Sequence, residues 1–281
     1  MGNGVESRWE EDVQVFGVLG NPVAHSLSPI MHRAAFQAMG LRADYVPFKV
    51  LDLPPAVSGI RALGIRGVSV TIPFKEEIIP LLDRVDEVAR EIGAVNTVLV
   101  RNGELLGHNT DWLGLSRALG SRVKIQGKSF AILGAGGAAR AAAYAILKEG
   151  GTPVILTRDP SKARRIAAQL GGRWESMERL AELEVSGLIN TTPVGMAPFS
   201  NQSPVPKGML AGFEVVMDVV YNPLRTRLLR EAQQEGAVIV SGIDMFLHQG
   251  AEQIRIWTGM EPPWEVMRDA VLSALEKRDA S

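Results

Sequence analysis

The segment Gly134-Ala135-Gly136-Gly137-Ala138-Ala139 has the spacing G-x-G-x-x-A, with the apolar run 130–133 before it and the alanine-rich run 141–147 after it. A strand that feeds a helix through such a turn is the dinucleotide-binding βα unit. The first glycine makes the tight turn, the second lets the backbone approach a pyrophosphate, and the small third residue lets helix pack on strand. The phosphates then meet free amides and the positive end of the helix dipole. The turn also constrains the fold by its position. About half of the chain precedes it, so a second unit is expected to hold the substrate.

The length of 281 residues, with 46% hydrophobic and 22% charged, is enough for two units with cores of their own. A net charge of −1 argues against nucleic acid or acidic membrane as a partner. There is no cysteine, which removes disulfides, thiolate nucleophiles and cysteine metal sites and is compatible with a reducing cytoplasm. The four histidines (His25, His32, His108 and His248) show no metal-ligand spacing, so no metal is expected.

Residues 1–12 are polar and acidic, without a basic segment ahead of an apolar core, so no signal peptide is expected. Glu6 stands where a myristoylation site needs Ser or Thr. The apolar stretch 130–147 is interrupted by Arg140 and by glycines, which suits a strand, turn and helix better than a membrane span. The expected partners are a small-molecule substrate and a cofactor, for a cytoplasmic monomer or homodimer.

Strand and helix patterns alternate in the first half. Residues 13–19 are a β-rich run, and Ser28-Pro29 reads as an N-cap followed by proline at the first helical position, with Gly40 ending the helix. Residues 45–50 and 67–71 read as strands, 53–63 as a helix, and 76–82 and 85–92 as helical segments. The runs 95–101 and 105–107 flank Asn102-Gly103, a hairpin signal, so this half is an α/β unit with a mixed sheet. Residues 111–119 read as a connecting helix.

The strands expected in the second half are 130–133, 153–157, 187–190, 215–219 and 237–240, separated largely by helices, which is the doubly wound pattern of a Rossmann-type domain. Residues 191–208, rich in Pro, Gly and Ser, read as a loop, and 245–277 as helix with a break at 259–263. The division expected is a substrate-binding unit at 1–111, onto which helices of 245–281 pack back, and a dinucleotide-binding unit at 112–244.

The end of the second Rossmann strand selects the cofactor. An acidic residue there pairs with the ribose hydroxyls of NAD, whereas a basic one accommodates the extra phosphate of NADP. Arg158 stands near the expected position, roughly 20 residues past the glycine turn, and Lys162 adds a second positive charge, while Asp159 acts against a phosphate. NADP is favoured, although both basic residues also read as ordinary surface charges.

Reduction of a ketone by hydride requires a proton donor within hydrogen-bond reach of the developing alkoxide. Lys75, after the apolar run in Ser69-Val70-Thr71-Ile72-Pro73-Phe74, and Asp111, in Asn109-Thr110-Asp111, are candidates. Taken alone, a lysine followed by Glu76-Glu77 is more often a solvated helix start than a catalytic group. Tyr144 and Lys148 match the Y-x-x-x-K of short-chain dehydrogenases, but they stand on the first helix after the glycine turn, where that family's catalytic pair does not lie.

In order along nearly the whole chain, several pieces resemble the shikimate dehydrogenase family. They are Gly20-Asn21-Pro22 with His25-Ser26-Leu27-Ser28-Pro29, Val70 to Lys75, Gly93-Ala94-Val95-Asn96-Thr97, and Asn109-Thr110-Asp111. Then follow the glycine turn, Asn190-Thr191-Thr192 with Gly195-Met196, Asp218 with Tyr221, and Gly242 through Gln249. The sequence departs from the family pattern at Ser69, Trp112, Thr157 and Asp159.

The resemblance implies reduction of 3-dehydroshikimate to shikimate with NADPH in a cleft between the two units. It implies that Lys75 exchanges the proton with the reacting oxygen and that Asp111 orients it. Ser26 and Ser28 are implied to hold the substrate carboxylate. Thr71, Asn96 and Gln249 are implied to hold ring hydroxyls or the carboxylate, with Tyr221 near the substrate and nicotinamide. The cofactor set implied is Gly134, Ala135, Gly136, Gly137, Ala138, Thr157, Arg158, Lys162, Thr191, Val219 and Gly242. From the residues alone, Ser28 also reads as an N-cap, Asn96 as a turn residue and Gln249 as a surface helix position. Two other functions stay open: an NAD-dependent quinate/shikimate dehydrogenase and a non-catalytic NADP-binding regulatory homologue.

Overall fold

Two six-stranded sheets, each with its own helices, organise the described residues. The structure is a computed structural model and describes residues 13–279; the reading of residues 1–12 lies outside the described residues.

The first sheet contains β1 (Gln14–Gly20), β2 (Ala43–Lys49), β3 (Gly67–Val70), β4 (Arg84–Val85), β5 (Thr97–Arg101) and β6 (Glu104–His108), in the order β2-β1-β3-β5-β6-β4. It is mixed, as expected. β1 runs parallel to β2 and β3, β5 is antiparallel to β3 and β6, and β4 is parallel to β6. Asn102 (φ 53°) and Gly103 (φ 79°) both take the left-handed conformation that a two-residue type I′ hairpin turn requires.

Helices α1 (Ser28–Ala38), α2 (Leu53–Ala62) and α3 (Glu87–Ile92) belong to this unit. Three local readings are corrected. Leu27, not Ser28, occupies the N-cap of α1, and the Ser28 amide donates to Ser26 Oγ at 3.2 Å, so the capping oxygen comes from two residues upstream. Residues 76–82 form turns that end in a 3₁₀ turn, Ile79–Leu81, where Pro80 has no amide to continue a helix. β4 then takes up Arg84 and Val85, and α3 starts only after Asp86, whose carboxylate accepts the Ala89 amide at 2.6 Å.

α4 (Asp111–Gly120) leads to the second sheet. Its strands are β7 (Ser129–Leu133), β8 (Thr152–Leu156), β9 (Arg173–Glu175), β10 (Gly187–Asn190), β11 (Val215–Asp218) and β12 (Val238–Val240), in the order β12-β11-β10-β7-β8-β9 and all parallel. Helices α5 (Gly137–Lys148), α6 (Pro160–Leu170) and α7 (Arg227–Gln234) complete the doubly wound layers. β9 has only three residues, too few to show a period in the sequence. β10 and β11 are joined by a long loop whose one short helical piece is the 3₁₀ turn Lys207–Met209. The winding reverses between β7 and β10, and the ends of these two strands open the crevice where such folds take a ligand.

The chain returns through α8 (Gly242–Thr258) and α9 (Trp264–Asp279). Phe246, Leu247, Ile254, Met267, Val271 and Leu275 pack with Phe16 and Tyr45 of the first sheet and with Met31 and Phe36 of α1. Burying each such side chain is worth about 1.5–3 kcal/mol, which holds the C-terminal helices on the N-terminal unit. α4 packs against both α5 and α8 and places Leu115, Ala118 and Leu119 in the core of the second unit. No described helix is long and apolar enough to cross a membrane.

Candidate active site

After β3 the chain turns sharply. The Phe74 amide donates to the Thr71 carbonyl at 3.0 Å, and buried Phe74 and Ile78 anchor the turn in the first core. Lys75 stands between these anchors in the sequence, and its carbonyl accepts the Val95 amide at 2.7 Å. Its Nζ donates to Asp111 Oδ2 at 2.6 Å, with side-chain exposures of 17% for Lys75 and 6% for Asp111. Asp111 opens α4, where the helix dipole favours a negative charge. Its amide donates to Asn109 Oδ1 at 3.0 Å, while Asn109 Nδ2 is tied to the Ala94 carbonyl at 2.8 Å.

Asn96 holds the other carboxylate oxygen. Its Nδ2 donates to Asp111 Oδ1 at 2.8 Å and to Thr110 Oγ1 at 2.9 Å, and lies 3.4 Å from Gln249 Oε1. Its Oδ1 accepts from the Thr110 amide (2.7 Å) and the Thr97 hydroxyl (2.8 Å). Asn96 is thus a fully engaged buried amide rather than a turn residue, and Gln249 is 9% exposed on α8 rather than a surface position. Lys75, Asp111, Asn96 and Gln249 form one hydrogen-bonded set.

The serines form a second set. The Tyr221 phenol faces the Leu27 amide and the Ser26 hydroxyl, and burial pushes its pKa up. The Tyr221 ring lies 4.6 Å from that of Phe246. The Tyr45 phenol, also pushed up by burial, faces the Ser28 side chain and donates to Ser69 Oγ at 2.6 Å. Ser69 Oγ donates to Gln253 Oε1 at 2.9 Å, and Gln253 Nε2 donates to Thr97 Oγ1 at 3.0 Å. A continuous hydrogen-bonded chain therefore links Tyr45 to Asn96 and Asp111. Thr71 enters neither set through its side chain, whose methyl packs against Gly20. Sequence reasoning missed Tyr45, Gln253 and the bonding of Ser69. Gln253 stands four positions after Gln249, one helical turn along the same face, which is the signal that points to it.

In the second unit, Gly134 (φ 118°) is left-handed, and a Cβ there would meet Thr191 Oγ1 at 2.6 Å. That hydroxyl donates to the Leu133 carbonyl at 2.6 Å, joining the ends of β7 and β10. Gly136, the N-cap of α5, is exposed, and a Cβ on it would meet nothing within 4 Å. This open ground beside free amides at a helix N-terminus fits a pyrophosphate. Ala135 packs on the second core, and Ala138 follows in the first turn of α5. Gly242 starts α8 where a Cβ would stand 2.5 Å from the Val219 carbonyl oxygen.

Arg158 is exposed just past β8, and Lys162 is exposed in the first turn of α6. Asp159 is the N-cap of α6, accepting the Ser161 hydroxyl at 2.6 Å and the Ser161 and Lys162 amides at 3.1 and 3.3 Å. The Ser161 hydroxyl and the Lys162 amide hold its carboxyl below the ordinary range. The Thr157 hydroxyl accepts the Asp159 amide at 3.2 Å. The departures at Thr157 and Asp159 are therefore a cap and its support, and the two cations beside them suit a phosphorylated ribose. Trp112 packs edge-on against Tyr144 at 5.3 Å, and Lys148 lies 5.6 Å from the Tyr144 ring, so the Y-x-x-x-K pair is used in packing.

The motif residues Asn190 and Asp218, whose bonding the sequence did not show, form a buried polar cluster that closes the ends of β10 and β11. Asp218 accepts from Asn190 Nδ2 (2.9 Å), the Val220 amide (3.0 Å) and the Thr226 hydroxyl (2.7 Å), and burial pushes its carboxyl up to about 6. Asn190 Oδ1 in turn accepts the Thr192 amide and hydroxyl at 3.0 and 2.7 Å, which shapes the start of the 191–208 loop. Among the described residues, no group of three or more His, Asp or Glu side chains is placed to hold a metal ion.

Two family models match the chain: the shikimate dehydrogenase substrate binding domain at residues 18–98 and the shikimate 5'-dehydrogenase C-terminal domain at residues 242–272. Shikimate dehydrogenase (NADP(+)) of Pyrococcus abyssi is 44% identical over 267 residues, covering 94% of this chain and 100% of the relative. A crystal structure of a shikimate dehydrogenase in complex with NADP+ superposes with a TM-score of 0.87 at 41% identity, covering 94% of this chain and 96% of the other. The Thermus thermophilus enzyme in complex with NADP(H) and shikimate gives a TM-score of 0.85 at 39% identity, covering 93% and 100%.

Proposed function

The chain belongs to the shikimate dehydrogenase family, and on that premise we propose that it interconverts 3-dehydroshikimate and shikimate with NADP(H). The observation that carries this reading is the Lys75–Asp111 pair, closed at 2.6 Å and set against the glycine turn of α5. Bound on that turn, the cofactor would supply the hydride. Gly134, Gly136 and Gly137 would receive its pyrophosphate, Arg158 and Lys162 its 2′-phosphate, and Thr191, Val219 and Gly242 its nicotinamide end.

Lys75 Nζ gives a proton to the oxygen of the reduced ketone and takes it back in the oxidative direction. Asp111 keeps the ammonium aimed, and Asn96 fixes Asp111 from the opposite side. Ser26 and Ser28, at the start of α1, bind the substrate carboxylate where helix amides favour an anion. Thr71, Asn96 and Gln249 hold the ring hydroxyls, and Tyr221 covers the substrate near the nicotinamide. Residues 1–111 with 245–281 act as the substrate unit and 112–244 as the cofactor unit, in a cytoplasmic enzyme. Closing the cleft between them excludes water during transfer.

Initial rates with shikimate and with quinate, each with NADP+ and with NAD+, test the proposal. Turnover concentrated in the shikimate and NADP+ pair is the expected result. A quinate rate equal to the shikimate rate, or a preference for NAD+, would overturn it.

A further inference from the structure

Arg140 belongs neither to the proton-handling pair nor to the cofactor turn, yet it is 7% exposed on α5, one turn past the glycines. Its guanidinium reaches from the second unit into the first. Nε donates to Glu76 Oε2 at 3.2 Å, and Nη1 donates to the Ile92 carbonyl at 3.3 Å and to Gln169 Oε1 of α6 at 2.9 Å. Gln169 Nε2 continues the bridge, donating to the carbonyls of Arg90 and Glu91 at 3.3 and 2.9 Å.

What lies at the receiving end gives the bridge its meaning. Glu76 directly follows Lys75. Ile92 ends α3, where the helix dipole favours a cation. The stretch of residues after it runs through Ala94 and Val95, which are bonded to Asn109 and to the Lys75 carbonyl, and arrives at Asn96. Ile92 and Ala94 of one unit also pack with Ala141 and Tyr144 of the other. A buried guanidinium is a rigid fork that tolerates little change in partner geometry.

We propose that Arg140 is a positioning residue that fixes the separation between the N-terminus of α5 and the Lys75 turn, and with it the distance over which hydride passes. The inference rests on the dehydrogenase reading above. Reacting atoms must approach to about 3–3.5 Å, and small displacements set far from the chemistry are costly in rate.

Three variants of the full chain test it. Arg140→Met keeps bulk and removes the donors, Arg140→Lys keeps the charge without the fork, and Glu76→Gln weakens a single arm. Each is assayed for kcat, both KM values and the primary isotope effect with shikimate deuterated at the oxidised carbon. For Arg140→Met, kcat should fall about tenfold or more while each KM changes by less than roughly threefold. The isotope effect on kcat should rise as hydride transfer becomes rate-limiting, and Arg140→Lys should recover part of the rate. In the ligand-free protein, amides at 74–79 and 92–96 should exchange hydrogen faster in Arg140→Met than in the wild type.

A folded Arg140→Met with wild-type kcat and isotope effect would overturn the proposal, as would a lower kcat with an unchanged isotope effect. If Arg140→Met does not fold, wild-type isotope effects in both Arg140→Lys and Glu76→Gln overturn it. If the wild type does not oxidise shikimate, the functional reading fails separately, and unchanged amide exchange would still overturn the bridge.

Discussion

A Cβ placed on Gly137 would stand 3.0 Å from both the Cβ and the Cδ of Lys75. The helix proposed to receive the cofactor and the lysine proposed to handle the proton are thus in direct contact, and a methyl group between them would be tight. Gly137→Ala should displace Lys75 or widen the cleft by a few tenths of an ångström. Steady-state kinetics should show kcat lowered about tenfold with little change in melting temperature. An unchanged kcat would mean that Lys75 does not depend on this contact.

Lys75→Ala and Asp111→Asn should separate proton transfer from orientation. Lys75→Ala should lower kcat by about 10²–10⁴, the usual span for loss of a general acid or base. Asp111→Asn retains a hydrogen-bonding side chain beside Asn96 and should lower kcat less, with KM for shikimate rising in both. Comparable kcat in Lys75→Ala and wild type would remove Lys75 from the chemistry.

Among the described residues, Arg158 takes no part in the ion pairs that join elements of the fold, so its replacement should read out on the cofactor alone. Arg158→Ala should raise KM for NADP+ about tenfold or more, the loss of one charge-assisted contact, and leave KM for NAD+ nearly unchanged. Lys162→Ala should act in the same direction. Equal effects on the two cofactors would place the extra phosphate elsewhere.

Asp218 gives a pH signature. Its buried carboxyl is pushed up to about 6 from 3.8, chiefly by desolvation and against the hydrogen bonds of Thr226, Val220 and Asn190. The folded state therefore holds this proton more tightly than the unfolded chain. The associated stability is complete below pH 3.8 and is lost as pH rises through about 6. Relative to Asp218→Asn, the wild type should lose about 3 kcal/mol between pH 4 and pH 7. Buried His32 works the other way. Its ring is pushed down to about 4 by burial, so its contribution is complete above 6.5 and is lost as pH falls through about 4. Urea unfolding of wild type and variant across this range isolates the Asp218 effect, because His32 is common to both. A difference that does not change with pH would contradict it.

Much of the architecture follows from signals contained within a few residues. The glycine turn, the Asn102-Gly103 hairpin, the Asp111 helix and the parallel core strands are legible because tight turns, helix starts and runs of buried apolar residues depend on near neighbours. Local signals misled where a longer-range partner or a single residue overrode them. Pro80 broke the helical reading of 76–82, and Ser26 took the capping role read for Ser28. β4 and β9, of two and three residues, are strands only because a neighbouring strand pairs with them.

By itself the sequence determined that a dinucleotide-binding unit follows a mixed α/β unit, and its ordered motifs singled out Lys75, Asp111, Asn96 and Gln249. Only the tertiary structure decided how these groups meet. Asn96 and Gln249 are 153 positions apart, Ser69 and Gln253 are 184 apart, and Arg140 lies 64 positions from Glu76. In the sequence Arg140 was only a charge interrupting an apolar run. It becomes a bridge because α5 packs beside the Lys75 turn and α3, where the buried guanidinium finds its partners in the opposite unit and in Gln169. Periodicity and capping report on neighbours along the chain, whereas the contacts proposed to aim a proton and a hydride are made by side chains that only packing brings together.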